Sequence, residues 1–170
     1  MKVSSRGLVA LMVIAGVSAS FGCAGDKAVV SAVIGSAGGE ISIPGGASVR
    51  IPAGALLAEM EIEVREGGWP SDVDYAASPV WHFGPDGVGF LKPVEVTISV
   101  GREMDRNDLA LFWTKEGRST EYGILKDAYF NRAGGQITVT ASIDHFSSGY
   151  VGSGNIEVCA DRYEIESGDI

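Results

Sequence analysis

The sequence predicts an all-β protein, an antiparallel β-sandwich of seven to nine short strands that follows a cleaved signal segment. Three observations carry this. Apolar residues alternate with polar ones at a period of two from Gly39 onward. Turn residues punctuate the runs, in a chain with 24 glycines and six prolines among 170 residues. No helical period of 3.6 is sustained outside the first twenty or so residues.

The leader comes first. Lys2 and Arg6 bracket a basic start, Leu8 to Ala15 is apolar, and small residues fill Gly16 to Ser20. That order is a secretory signal, too short for a membrane-spanning helix of about 20 residues. Two processing routes fit it. Ser20-Phe21-Gly22-Cys23 resembles a bacterial lipoprotein signal, in which the cysteine is lipidated and becomes the N-terminus. Gly22 suits that motif, whereas Ser20 and Phe21 depart from it. The other route is cleavage after Ala19. The lipoprotein reading divides the chain into a signal peptide (1–22), a small-residue tether (23–37), a sandwich (38–152) and an acidic extension (153–170). Residues 28–34 of the tether are apolar enough to add a first strand.

In the body, Ile41 and Ile43 alternate, then Val49 and Ile51, then Met60, Ile62 and Val64. Val94 to Val100 follow, and Ile137, Val139, Ala141 and Ile143 close the series. Pro44-Gly45-Gly46, Pro52-Ala53-Gly54, Gly67-Gly68-Trp69-Pro70, Gly84-Pro85-Asp86-Gly87 and Ala133-Gly134-Gly135 are the turns. Residues 39–44 and 47–52 form a two-strand ribbon stopped twice by proline. Residues 55–61 suit one helical turn, and Pro93 suits the start of the strand at Val94. Trp81, Phe83, Phe90 and Trp113 are core aromatics.

Composition excludes several functions. Thirteen basic against 22 acidic residues give −9. Loss of residues 1–22 removes Lys2 and Arg6 but no acid, leaving 11 basic against 22 acidic and a charge of −11. Nucleic acid is therefore a poor partner. With two histidines and two cysteines, no metal or cofactor is expected. If Cys23 carries lipid, Cys159 is left without an intrachain partner; if not, a Cys23–Cys159 disulfide is open. Asp72, Asp74 and the tail acids Asp161, Glu164, Glu166 and Asp169 lack calcium-loop spacing and read as solvated. Gly84 to Gly89 has no phosphate-loop context. Lys115 to Arg118 reads as a charged hairpin loop, and His82 as a structural histidine.

Gly38 to Ile43, Val49 to Leu56, Ser78 to Gly87, Phe90 to Val96 and Asp144 to Tyr150 together resemble the ZU-type domain. That β-sandwich occurs in zona-occludens proteins, netrin receptors, ankyrins and many bacterial surface proteins. The resemblance covers residues 38–151 and implies a scaffold, not a reaction. The expectation is a non-enzymatic envelope lipoprotein that is membrane-anchored through Cys23 and presents a surface to an unidentified protein. Trp69 is the candidate binding anchor unless it folds back over a sheet edge.

The resemblance also singles out His145-Phe146-Ser147. Some ZU-type domains break the Phe–Ser bond of this tripeptide by an N→O acyl shift, with the histidine taking the hydroxyl proton. His145 and Ser147 would share one strand face for that step, and Asp144 would point to the other. In the plainer reading Phe146 fills the core while His145 and Ser147 face outward. An inert structural spacer is the third reading of the chain.

Overall fold

The computed structural model describes residues 18–19, 27–70, 76–100, 108–115, 118–153 and 164–165. Among these residues there is no helix. In chain order the strands are β1 (Ser18–Ala19), β2 (Val29–Ile34), β3 (Gly39–Ser42), β4 (Ala47–Ile51), β5 (Met60–Glu66), β6 (Trp81–Gly84) and β7 (Gly89–Val100). They continue as β8 (Leu109–Lys115), β9 (Arg118–Leu125), β10 (Tyr129–Ala133), β11 (Gln136–His145), β12 (Ser148–Ser153) and β13 (Glu164–Ile165). Eleven of them have four residues or more, which exceeds the seven to nine expected.

The larger sheet runs β1-β2-β5-β6-β12-β8-β9-β13, the smaller β10-β11-β7-β4-β3. Neighbours are antiparallel except β13, which lies parallel to β9. The sheets face each other across one apolar core. The larger contributes Ile62, Val64, Trp81, Phe83, Leu111 and Trp113; the smaller contributes Val49, Val96, Ile98, Val139 and Ile143. Full burial of side chains of this size stabilises by about 1.5–3 kcal/mol each.

The ribbon of β3 and β4 forms as expected, with Ile41 opposite Val49. Pro52 ends it, and Gly54 turns the chain at φ 78°, a left-handed conformation that costs glycine little. Leu56 is then buried. The helical turn expected at residues 55–61 is not there. Turn and bend lead directly into Met60.

Two other expectations need correction. The tether does not extend to residue 37, because β2 is an integral strand whose Val30, Ala32 and Ile34 enter the core. Pro93 does not start a strand; it lies inside β7. On β11, Ile143 faces Val94 and His145 faces Gly89, so residues 90–93 bulge opposite Asp144 alone. A bulge needs no ladder donor from Pro93. This segment is tied instead to the turn beside β4: Leu91 N–H donates to the Ala55 carbonyl at 3.0 Å, and Lys92 Nζ donates to the Ala53 carbonyl at 2.6 Å.

Strand β8 is buried on both faces. Leu109 to Thr114 are all buried, because the outer face carries a second apolar cluster. Phe112 stacks on Tyr150 at 4.9 Å, and Tyr122 meets Tyr150 edge-on at 5.1 Å. Ala76 and Val80 pack against this cluster. Burial of the Tyr122 phenol raises its pKa above the usual 10.0.

Candidate functional site

The His-Phe-Ser tripeptide is where the chain leaves one sheet for the other. His145 ends β11 in the smaller sheet, and Ser148 begins β12 in the larger. Phe146 and Ser147 alone make the crossover. Such a short passage through the edge of a core must satisfy its own backbone groups. Phe146 N–H donates to the Val88 carbonyl at 3.0 Å, and Gly87 N–H donates to the Phe146 carbonyl at 3.1 Å. Phe83 N–H donates to the Ser147 carbonyl at 2.9 Å. The Phe146 ring is fully buried and meets Phe90 edge-on at 4.7 Å.

His145 is buried, not outward. The period of two explains this, since Val139, Ala141 and Ile143 face the core and residue 145 is next in phase. That signal was present in the sequence. Asp144 does not turn away from it. Its Oδ1 lies 3.0 Å from His145 Nδ1, so Nδ1–H donates to the carboxylate. The ring's Nε2 is buried and has no hydrogen-bond partner among the described residues.

Ser147 does not share a strand face with His145, because the strand ends before it. Its hydroxyl bonds to that of Thr114 on β8. Thr114 Oγ1 also accepts from Ser148 N–H at 3.1 Å. Thus Gly87, which the sequence marks as a turn, and Thr114, which sequence reasoning did not single out, hold the crossover together with Ser148.

His82 lies beside it on β6. Its Nδ1 is 2.7 Å from Ser148 Oγ. Burial lowers the His82 pKa below 6.5, and Arg65, opposite it on β5, lowers it further. His82 is half-buried.

Trp69 sits elsewhere. Gly67 N–H donates to the Val80 carbonyl at 2.6 Å, and Val80 N–H to the Gly68 carbonyl at 2.9 Å. Past this clamp Trp69 is 62% exposed, so it does not fold back over a sheet edge. Trp81 and Trp113 are buried.

Cys23, Cys159, Asp72, Asp74, Asp161, Glu166 and Asp169 lie outside the described residues, as does most of the leader. No group of three metal-ligating side chains occurs among the described residues. No helix among them is long and apolar enough to cross a membrane.

No curated protein matches the chain. Residues 30–112 match the family model of the ZU5 domain, a β-sandwich of protein-interaction type that is generally non-enzymatic. The match begins inside β2 and ends inside β8, and strands β9 to β12 complete both sheets beyond it. With that match and this sandwich, the chain is identified as carrying a ZU5 domain.

Proposed function

We propose that this protein is a bacterial envelope lipoprotein that carries a ZU5 β-sandwich on a lipid at Cys23 and presents it to a protein partner. The observation that carries the reading is the order of the leader: Lys2 and Arg6, an apolar block, small residues, then Cys23. The fold supports it, since β2 begins at Val29, six positions after Cys23, and little chain separates anchor from domain. Cleavage before Cys23 removes β1 and leaves β2 as the edge of the larger sheet.

For the partner, the β10 edge of the smaller sheet is favoured. All five residues of β10 are exposed, Tyr129 and Phe130 among them. Among the described residues β10 is an edge strand, and an edge with aromatic side chains suits an added strand from another protein.

The test is the intact mass of protein extracted from a bacterial membrane. A diacylglyceryl chain beginning at Cys23, and release of Cys23→Ser from the membrane fraction, are expected. An unlipidated chain beginning at Ser20 overturns the reading.

Self-cleavage between Phe146 and Ser147 is the second reading. The pairing of Asp144 with His145 favours it, as does the Gly87 N–H on the carbonyl oxygen that would gain charge. The step needs the Ser147 hydroxyl to leave Thr114 for His145. The same mass spectrum, taken after denaturation, shows a break at that bond or an intact chain.

A further inference from the structure

The Trp69 loop and the start of the sandwich occupy the same end of the larger sheet. Val29 faces Arg65 across the β2–β5 pair, and Glu66 N–H donates to the Ala28 carbonyl at 2.7 Å. A Cβ placed on Gly68 would lie 3.9 Å from Lys27 Nζ. Trp69 is therefore beside Lys27, four positions after Cys23. Four residues span at most about 14 Å when fully extended. Whatever course they take, this end of the sheet stays close to the Cys23 backbone.

Trp69 is an exposed indole in a chain whose other two tryptophans are buried. Indole and lysine side chains are the groups that settle at a membrane–water interface, each with an apolar body and a polar tip. Glu59 and Glu61 lie at the end of β5 where Met60 faces Ile34, Glu63 is at its middle, and Glu66 at the near end is half exposed; Asp26, Asp72 and Asp74 are the acids nearest Lys27 and Trp69 in the chain. An anionic membrane repels acids and tolerates Lys27.

We propose that Trp69 is a membrane contact: anchored at Cys23, the sandwich stands with this end against the lipid headgroups and the Trp69 indole in the interface. The occupant of the exposed loop is thus a lipid surface, not a protein. The proposal rests on the lipoprotein reading, because without the anchor nothing brings this end to a bilayer.

The experiment uses the full mature chain. Membrane-extracted protein is first weighed, then reconstituted into vesicles of phosphatidylethanolamine and phosphatidylglycerol doped with dibrominated phosphatidylcholine. Bromine quenches indoles at the interface. The Trp69 signal is the difference between wild type and Trp69→Ala, whose remaining indoles are buried. The expected result is bromine quenching of this difference signal, with protection from aqueous iodide relative to soluble Cys23→Ser. A lipidated chain whose Trp69 signal is untouched by bromine and open to iodide overturns the proposal alone and leaves the loop to a protein partner. A mass without lipid overturns the lipoprotein reading, and the proposal falls with it.

Discussion

Gly149 is the position where the packing of this sandwich is least forgiving. It lies in β12, between β6 and β8, facing Trp81 on one side and Trp113 on the other. A Cβ added there would sit 2.7 Å from the Phe112 carbonyl oxygen and 2.8 Å from Cζ3 of Trp113. Neither neighbour yields cheaply. The carbonyl belongs to a strand paired on both sides, and Trp113 is fully buried with its ring centroid 5.4 Å from that of Phe83. Overpacking of a rigid site costs about 3 kcal/mol at the upper end of its usual range. The stiffer unfolded chain of an alanine variant returns up to about 1 kcal/mol. Gly149→Ala is therefore expected to destabilise by about 2 kcal/mol, or roughly 1 M in urea midpoint at typical slopes. The assay is urea unfolding followed by tryptophan fluorescence, with Gly89→Ala as control. A Cβ on Gly89 meets only the Asp144 carbonyl, at 3.8 Å, so the control is expected to be neutral or slightly stabilised. Equal midpoints for the two variants would refute the argument that β12 is wedged against Trp113.

Phe146→Ala is expected to lose about 3–5 kcal/mol by leaving a cavity under Phe90, seen as a lowered thermal midpoint. Trp69→Ala should change stability by less than about 0.5 kcal/mol, because the side chain is exposed; a larger loss would mean that the indole packs on the domain. The His82 pKa is lowered in the folded state, so the unfolded chain takes up the proton first. Stability owed to His82 is unaffected above pH 6.5 and falls as pH drops through 6.5 toward the folded value. His82→Gln should flatten that part of the pH profile, and an unchanged slope in chemical denaturation would refute the assignment.

The alternation of Ile41, Val49, Ile62, Val96 and Val139 made the core strands legible, because each has one wet face and one dry face. The turns at Gly45, Gly54, Gly87 and Gly134 were legible because all four take positive φ and the sequence marks them with proline or paired glycine. Strand β10 was not. All its residues are exposed, so periodicity has no burial pattern to detect, and only the Gly134-Gly135 hairpin marks its end. The buried outer face of β8 was hidden for a different reason. Phe112 is covered by the stacked ring of Tyr150 on β12, with Ala76, Val80, Tyr122 and Ile124 packed against the cluster, and no local pattern reports that. At the tripeptide, residue types were legible and geometry was not. The core phase of β11 already pointed His145 inward, but alternation does not report that the Asp144 carboxylate reaches back to the ring of its neighbour. Ser147 escaped the strand argument altogether, since the chain changes sheets one residue earlier.

That change of sheet also decides how a cut at Phe146 would behave. Severing the chain there frees the N-terminus of β12 but none of its pairings. Ser148 still faces His82, Gly149 to Ser153 still face Trp113 to Leu109, and Ser78 Oγ still accepts from Val151 N–H at 2.9 Å. Tyr150 remains stacked in the outer cluster. These contacts are the same before and after a cut, and they bury a central strand, not an edge. A cleaved molecule would therefore stay assembled and keep its size in a native separation, and its halves would part only on denaturation. The tripeptide joins the two sheets mechanically whichever chemistry it performs, and removal of Phe146 tests that joint separately from removal of the Ser147 hydroxyl.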